Sequence, residues 1–415
     1  MNEVNWAGTH AYRAGRIHRP ASVEELQEIV AAAPRVRVLG SRHSFSDVAD
    51  SAELVELDAL PGDIAVDRAA GTVTLGAAVK YGELAEALIA EGVALHNLGS
   101  LPHISVGGAI ATATHGSGDG NGNLATAVAG LEMVTSDGEL LTAARGDSAF
   151  EGLVVGLGAL GAVTRISVAI EPAYEVRQRV FERMAWDALL EQFDAISAGG
   201  YSVSVFTRWG ADVDQVWVKS RVTGAPEEVR DELFGAVAAS VERHPILGLD
   251  PINCTPQLGV PGVWSQRLPH FRMGFTPSQG EEIQSELFVP REHAAAAIEA
   301  VRGLGRRLAR VLLVSEIRTI AADRLWMSPQ HGRATVALHF TWKREPEAVA
   351  RALAEVEAAL RPFGARPHWG KVFLARAAQI APLYQRLPDF VALMERLDPR
   401  GAFRNAWLEE RVLGV

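Results

Sequence analysis

The feature that most constrains this chain is a run of glycines between residues 99 and 122. Glycine stands at positions 99, 107, 108, 116, 118, 120 and 122. Because glycine has no β-carbon, this density disfavours regular helix or strand and permits close approach of the backbone to another group. The stretch therefore predicts a long irregular segment that lies against a ligand.

A second loop, residues 40–46, follows directly after a predicted strand at residues 35–39. Its sequence, Gly-Ser-Arg-His-Ser-Phe-Ser, combines one glycine with three small hydroxyl side chains. Successive backbone amides and hydroxyls of this kind can form a nest for a pyrophosphate. A loop histidine such as His43 is by itself more often an ordinary hydrogen-bonding residue. The glycine-rich stretch favours instead a position for His43 beside a bound cofactor.

Length and composition describe a large folded protein with an acidic balance. The chain has 415 residues, of which 48% are apolar and 22% charged, and its formal charge is −10. These values are typical of globular chains of more than one domain. Without a block of lysine or arginine, nucleic acid and anionic membranes are not expected partners.

The single cysteine, Cys254, excludes an internal disulfide and a site made of cysteines alone. A lone thiol fits a reducing compartment, and no signal peptide or membrane-spanning run is evident. We therefore expect a cytoplasmic protein. No dimerisation element is visible, so we expect a monomer.

The chain before Glu171-Pro172 mixes helices and strands. Ser22 and Glu25 form a capping box ahead of a helix, and residues 81–91 predict a second helix. A hairpin turn is predicted at residues 137–138. The Glu171-Pro172 dipeptide then marks a change of pattern and a domain boundary.

After Pro172 the pattern becomes that of a sheet covered by helices on one face. The predicted segments are strands over residues 201–209 and 215–222, a helix after Pro226, a strand over 284–289, a helix after Arg291, strands over 311–320 and 335–342, and a helix over Pro346–Leu360. We predict an α+β chain in which residues 1–172 form a first domain, residues 173–362 a second, and residues 363–415 return to the first.

Two stretches resemble nucleotide-binding motifs but lack features that those motifs require. Residues 156–161 spell the dinucleotide fingerprint, but β-branched residues alternate over 163–170 and predict a strand where that motif needs a helix. Residues 364–371 resemble a phosphate loop with a spacer one residue too long, and Val372 replaces the magnesium-binding hydroxyl. The histidines lack metalloprotease spacing, so no catalytic metal is expected.

Strand periodicity places charged residues together in the second domain. Glu316 and Arg318 are two residues apart and share a face of their predicted strand. His339 and Thr341 likewise share a face with Ala337, while the alternate residues are apolar. From the pattern alone, a structural ion pair and a core histidine would be favoured over a reactive site.

Long stretches of the sequence resemble a known group, the FAD-linked oxidases of the vanillyl-alcohol oxidase superfamily, and within it the bacterial alditol (xylitol) oxidases. The resemblance runs over nearly the whole chain and is carried by residues 40–45, 94–118, 315–319, 337–342 and 366–373. It implies an α+β, two-domain fold. A PCMH-type FAD-binding domain would comprise residues 1–172 and 363–415, and an α/β substrate cap residues 173–362.

The same resemblance implies FAD bound covalently through His43, by one bond only, because Cys254 does not lie in a second linkage motif. An imidazole nitrogen is a competent nucleophile toward the electron-poor flavin. Arg42 stands where relatives often carry glycine. The implied cofactor contacts are Val38, Leu39, Gly40, Ser41, Arg42, Ser44, Ser100, Ser105, Gly108, Thr112, Ala113, Thr114, His115 and Val154.

The implied reaction oxidises a terminal primary alcohol of a xylitol- or sorbitol-type alditol to the aldose, with hydride passing to flavin N5 and dioxygen reoxidising the flavin to give H2O2. Arg318 and Lys371 would stabilise the substrate oxygen, and His339 is the leading candidate proton acceptor. The neighbouring hydroxyls would bind Glu316, Ser100 and Thr341, alongside Arg318 and Lys371. Gly99, where relatives often carry alanine, favours access of oxygen.

Two alternatives stay open at this point. An aldonolactone oxidase or dehydrogenase of the same superfamily would share the flavin loops, the Glu/Arg pair and the His-Trp-x-Lys ending. A non-catalytic flavin- or sugar-binding protein is the second alternative. Its signature would be apolar or bulky residues in place of Glu316, Arg318, His339 and Lys371, which the sequence does not have.

Overall fold

Alternating apolar and polar residues build the sheets of this protein. The computed structural model describes residues 3–224, 230–274 and 282–415. In chain order the strands are β1 (Arg16–His18), β2 (Val36–Val38), β3 (Glu53–Val55), β4 (Ala65–Asp67), β5 (Thr72–Gly76), β6 (Val93–Ala94), β7 (Val128–Val134), β8 (Leu140–Ala144), β9 (Ala162–Ala169), β10 (Glu171–Pro172), β11 (Glu175–Met184), β12 (Ser202–Thr207), β13 (Val213–Arg221), β14 (Glu232–Leu233), β15 (Ala236–Ala238), β16 (Gly262–Val263), β17 (Glu282–Pro290), β18 (Leu312–Ile320), β19 (Thr335–Lys343) and β20 (Arg366–Pro367).

The first helix begins at the capping signal that the sequence predicts. The backbone N–H of Glu25 donates to Ser22 Oγ at 3.2 Å, which caps the first helix. The helices are α1 (Val23–Ala32), α2 (Tyr81–Ala90), α3 (Val106–Ala111), α4 (Phe150–Val154), α5 (Trp186–Glu191), α6 (Phe193–Ser197), α7 (Ala294–Arg302), α8 (Gly305–Leu308), α9 (Pro346–Leu360), α10 (Ala377–Ile380), α11 (Leu387–Leu397) and α12 (Ala406–Leu408). The predicted bounds of α9 are confirmed. No helix in the described ranges is long and apolar enough to cross a membrane.

The first half of the chain carries a parallel sheet of three strands, β1-β3-β2, and an antiparallel sheet of five, β4-β5-β9-β7-β8. Residues 156–161 are followed by β9, so the prediction that they are not a dinucleotide fingerprint is confirmed. The hairpin of β7 and β8 turns at Asp137-Gly138 as predicted, with Gly138 at φ +83°. These sheets position the loops that line the site.

The second half forms one large sheet in the order β14-β15-β11-β13-β12-β18-β19-β17-β20, with β16 beside β11. One face is apolar and packs against α7 and α9, through residues such as Ile317, Leu338 and Phe340. The other face carries the polar residues and is directed at the loops of the first half. The predicted separation of the two faces on β18 and β19 is therefore confirmed.

Part of the second-half prediction is wrong. Residues 225–229, where the helix after Pro226 was expected to begin, lie outside the described residues. From Glu232 the chain forms the hairpin of β14 and β15. Phe234 and Gly235 both have positive φ, at +47° and +84°, which is the conformation of a tight hairpin turn. β11, α5 and α6 were not predicted. In β11, charged residues interrupt the alternation of apolar and polar residues.

The last fifty residues contact both halves of the molecule. β20 adds to the large sheet beside β17. Farther on, Trp369, Phe390 and Trp407 pack into the same apolar cluster as Leu84 and Phe150 of the first half. The C-terminal segment thus completes the core of the first half after touching the edge of the second.

Candidate active site

A cavity of about 530 Å³ lies between the loops of the first half and the polar face of the large sheet. Residues 37–45, 99–115 and 157–158 contribute lining from one side. β17, β18 and β19 contribute lining from the other, together with Lys371. The cavity is large enough for an extended ligand, and its two walls have different chemistry.

The loop wall is held by reciprocal hydrogen bonds between two serines. Ser105 N donates to Ser41 Oγ at 2.9 Å, and Ser41 N lies 3.3 Å from Ser105 Oγ. Gly40 is required here, because a β-carbon at this position would lie 2.8 Å from Ser105 Oγ. The two glycine-bearing loops singled out in the sequence are therefore brought together at one end of the cavity.

His43 presents an unpartnered nitrogen to this cavity. Its Nδ1 donates to Ser41 O at 2.8 Å, since a carbonyl oxygen only accepts. Its Nε2 is buried and has no hydrogen-bond partner among the described residues. Trp6 stacks on the ring with 5.4 Å between centroids. Burial lowers the pKa of His43 to about 4, so the imidazole is neutral.

Arg42 adopts the left-handed backbone conformation, with φ +59°. Glycine takes this conformation at no steric cost, whereas for other residues it costs about 1–2 kcal/mol. Its guanidinium pairs with Glu3 at 2.9 Å and also with Glu56. These two ion pairs anchor the side chain of a residue whose backbone is strained.

All but two of the predicted cofactor-site residues line the main cavity. The residues that do so are Val38, Leu39, Gly40, Ser41, Arg42, His43, Ser44, Ser100, Ser105, Gly108, Thr112, Thr114 and His115. Val154 instead lines an adjoining cavity of about 110 Å³, to which Gly40 and Gly108 also contribute. Ala113 lines neither cavity. It is fully buried with φ +54°, and therefore shapes the loop backbone.

The sheet wall places its charged residues in one cross-strand row. His339 on β19 pairs in register with Glu286 on β17 and with Glu316 on β18. Arg318 pairs with Ala337, whose small side chain leaves room for the guanidinium. All four predicted reactive residues, Glu316, Arg318, His339 and Lys371, line the cavity, as does Thr341.

Glu286 joins the two cations of this wall. Its Oε1 accepts from Arg318 Nη2 at 2.6 Å, and its Oε2 from Lys371 Nζ at 2.5 Å. Burial alone would raise the pKa of Glu286, but the charges of Lys371 and Arg318 hold that pKa well below its usual range. Arg318 Nη1 also lies 3.5 Å from Ser100 Oγ, which connects the two walls.

His339 lies between Lys371 and Thr341. Lys371 Nζ is 2.9 Å from His339 Nδ1, and Thr341 Oγ1 is 3.1 Å from Nε2. Burial, aided by the charge of Lys371, lowers the pKa of His339 to about 4. Burial also lowers the pKa of Lys371. The ring is therefore neutral at physiological pH and linked to two polar groups.

The sequence analysis missed four buried residues near this wall, Glu286, His270, Lys219 and His368. A signal existed for Glu286, which shares a face with Gln284 in a strand that is otherwise mostly apolar. His368 stands in the His-Trp-x-Lys ending but was given no role. No local pattern distinguished His270 and Lys219, because the tertiary fold alone brings them to the site.

His115, Glu286 and His368 offer ligand atoms within 4.8 Å of one another. The nitrogen and oxygen donors are of the types that bind cations, but the surrounding charges are not those of a cation site. Glu286 is already paired with Arg318 and Lys371, and two positive charges at this distance oppose binding of a metal ion.

Family profiles match both halves of the chain. Residues 14–144 match the FAD binding domain family, and residues 272–411 match the family described as D-arabinono-1,4-lactone oxidase. The fold is similar to that of cholesterol oxidase from Brevibacterium sterolicum, with a TM-score of 0.78 over 98% of this chain and 96% of that one at 15% identity. Fold and site define an FAD-dependent oxidoreductase with a PCMH-type FAD-binding domain, as the resemblance implied.

Relatives of known activity narrow the class. The chain is 47% identical over 416 residues to an alditol oxidase from a Streptomyces species, covering 99% of both chains. It is 28% identical to an L-gulono-1,4-lactone dehydrogenase from Mycobacterium tuberculosis, covering 99% of this chain and 98% of the relative. The chain belongs to the alditol oxidase family, and the predicted family is confirmed.

Proposed function

We propose that this protein oxidises a terminal primary alcohol of a xylitol- or sorbitol-type alditol to the aldose and passes the electrons to dioxygen, giving H2O2. The observation that carries the proposal is a pair of basic groups, the buried Arg318 and the half-buried Lys371, in the same cavity as His43. A hydroxyl that loses its proton needs positive charge and donors nearby, and both act strongly in a site that excludes water.

His339 and Lys371 together carry out the acid–base step. In the proton-accepting form, Lys371 has lost one proton: its neutral amine still donates to Glu286 Oε2, the imidazole of His339 carries its hydrogen on Nδ1 toward the amine nitrogen, and its Nε2 is free. When Nε2 accepts the proton of the substrate hydroxyl, directly or through Thr341, Nδ1 returns its hydrogen to Lys371. Lys371 thus gains its charge as the substrate oxygen becomes anionic. The lowered pKa of Lys371 favours the uncharged amine from which this exchange starts.

The remaining hydroxyls of an open-chain polyol bind along the same wall. Glu316 provides a carboxylate acceptor, while Ser100 and Thr341 provide hydroxyls that both donate and accept. Their places on different strands and on the opposite loop match a chain that carries an oxygen on every carbon.

The cofactor of this class is FAD, and the loop wall supplies what its binding requires. FAD, when bound, supplies the hydride acceptor and the route for electrons to oxygen. Ser41, Ser105 and the backbone of residues 40–44 would hold it, and we propose that a ring nitrogen of His43 would be bonded to it covalently. The neutral, buried imidazole supports this assignment.

The linkage is tested on the denatured holoenzyme. The protein band in a denaturing gel should fluoresce as flavin, and His43→Ala should abolish that fluorescence while FAD added to the folded variant still binds. Ser44→Ala is the matched control in the same loop and should retain a fluorescent band. Release of all flavin from the unmodified protein by acid precipitation would refute the covalent bond.

We also propose the division into residues 1–172 and 363–415 around a cap of residues 173–362. The shared apolar cluster of the first half and the C-terminal segment supports it. A monomer in the cytoplasm remains our proposal. Burial of Cys254, which raises the pKa of its thiol to about 12, is consistent with a reducing compartment.

An aldonolactone oxidase is the second candidate, favoured by the match of residues 272–411 to the D-arabinono-1,4-lactone oxidase family. Steady-state peroxide formation with xylitol and sorbitol, compared with L-gulono-1,4-lactone, separates the two. We expect turnover of the polyols and little with the lactone. Robust lactone turnover with inert polyols would establish the second candidate instead.

A further inference from the structure

A buried lysine that the proposed reaction does not use lies next to His270, the residue that contacts Glu316 Oε1. Lys219 on β13 is 1% exposed, and its Nζ contacts the carbonyl oxygens of Leu268 and Pro269 and, at 3.3 Å, His270 Nδ1. An ammonium has three hydrogens to donate, and here each of them has an acceptor. Burial lowers the pKa of Lys219 to about 7, and these three acceptors offset part of the cost of burying its charged form.

The lysine determines which nitrogen of His270 carries hydrogen. Because Nδ1 accepts from Lys219, the neutral ring must carry its hydrogen on Nε2, and Nε2 lies 2.8 Å from Glu316 Oε1. The rings of Phe206 and Trp217 contact the imidazole edge to face, at 5.3 and 5.4 Å between centroids. These contacts leave the ring little freedom to turn.

Glu316 is thereby left with one oxygen for the cavity. Its Oε1 is occupied by His270, while its Oε2 lies 3.6 Å from Arg318 Nε, too far for a good hydrogen bond. Arg318 Nε is buried and has no hydrogen-bond partner among the described residues. An acceptor and a donor therefore stand side by side, and one hydroxyl group can satisfy both by donating to Oε2 and accepting from Nε–H.

We propose that Lys219 and His270 are positioning residues that fix Glu316, so that Glu316 Oε2 and Arg318 Nε together recognise one secondary hydroxyl of the polyol. The inference rests on the proposed function. Neither Lys219 nor His270 takes part in the acid–base step. Their contribution is to substrate binding, because they hold the carboxylate in the orientation and ionisation that accept a hydroxyl hydrogen.

The test is anaerobic reduction of the holoenzyme by xylitol and by its monodeoxy analogues, which gives a substrate Kd and a limiting reduction rate for each. Lys219→Met should raise the Kd for xylitol about ten-fold and change the limiting rate less than about three-fold. The unmodified enzyme should reject one deoxy analogue strongly, and the variant should lose most of that discrimination. Lys343→Met, at the exposed end of β19, is the matched control and should behave as the unmodified enzyme.

A double substitution separates this role from a merely structural one. The amide of a glutamine at position 270 donates to Glu316 whether or not Lys219 is present. Lys219→Met should therefore have little effect on Kd in the His270→Gln background. An equal effect of Lys219→Met in both backgrounds, or no effect on Kd at all, would overturn the inference.

If Lys219→Met does not fold, two substitutions at position 270 test the positioning role instead. His270→Gln should keep the Kd for xylitol within about three-fold, whereas His270→Asn, too short to reach Glu316, should raise it about ten-fold. Equal Kd values for the two would contradict the role assigned here. If no alditol reduces the unmodified holoenzyme, the proposed function fails, which is a distinguishable result.

Discussion

At the scale of single residues, the site depends on a carboxylate that has no direct part in the chemistry. Glu286 is fully buried between Arg318 and Lys371 and accepts a short hydrogen bond from each. Two cations at this spacing repel each other in a low-dielectric site, so a counter-charge is needed to keep both. The reactive wall is therefore a network in which Glu286 is the central anion.

Removing that anion should destabilise the protein. We expect Glu286→Gln to lower the free energy of unfolding by about 3 kcal/mol, because two buried charges lose their common partner. Denaturant unfolding of the holoenzyme measures this. Glu355→Gln breaks an exposed ion pair with Arg307 and should change the free energy by less than about 0.5 kcal/mol. Similar values for both variants would contradict the central place of Glu286.

Oxygen access provides a second prediction at this scale. Gly99 lines the cavity, and a β-carbon there would meet its nearest neighbour, Thr114 Cγ2, at 3.7 Å, an ordinary contact. Gly99→Ala should therefore fold normally. We expect it to slow reoxidation by dioxygen about ten-fold, equivalent to about 1.4 kcal/mol in the barrier, and to leave anaerobic reduction by xylitol unchanged. Equal reoxidation rates for Gly99→Ala and the unmodified enzyme would show that Gly99 does not control the access of oxygen.

At the scale of strands and helices, the sequence predicted which residues share a face of one strand. It predicted less well which residues lie opposite each other on adjacent strands. Period-two alternation placed Glu316 with Arg318 and His339 with Thr341, and the structure bears this out. The same alternation contains no information about register, so it did not show that His339 stands opposite Glu286. His270 comes from an irregular segment whose position depends on tertiary packing.

At the same scale, one arginine in a short strand links several segments around the cavity. Arg37 on β2 is fully buried and donates to the carbonyl oxygens of Val48, Leu157, Gly158 and Phe403. It thus joins a turn, a loop and the C-terminal segment around the cavity. Nothing in the local sequence distinguishes it, because an arginine in a short strand ordinarily has its charge in water.

Loss of this arginine should be costly. We expect Arg37→Met to lower the free energy of unfolding by about 3 kcal/mol or more, since several buried carbonyl oxygens lose their donor. Arg16→Met, at an exposed position on β1, should be close to neutral. Denaturant unfolding of both holoenzymes provides the comparison. An Arg37→Met variant as stable as Arg16→Met would show that the carbonyls find other partners.

At the scale of the whole molecule, the cavity exists only where the two halves meet. The loops of the first half present a buried, neutral histidine, and the large sheet presents buried charge. Burial of so many titratable groups has a cost that depends on pH. The pKa values of His270 and His339 are about 4, and burial also lowers the pKa values of His115 and His368.

The direction of that dependence follows from proton binding. Unfolded histidines titrate near pH 6.5, so below this pH the unfolded chain binds more protons than the folded one. Stability should therefore fall as the pH drops from about 6.5 to 4. Asp323, with a raised pKa of about 6, and Glu357, whose pKa burial also raises, act in the opposite sense but are two groups against four. The melting temperature of the holoenzyme should be lower at pH 5 than at pH 8, and an equal or higher value would refute this.

In the proposed reaction, a polyol gives its hydride to a flavin held between these two walls. Anaerobic addition of xylitol to the purified holoenzyme tests it most directly, with the visible absorbance of the flavin as the readout. We predict that xylitol bleaches the flavin and that L-gulono-1,4-lactone at the same concentration leaves most of its colour. Persistent colour with both xylitol and sorbitol would contradict the claim.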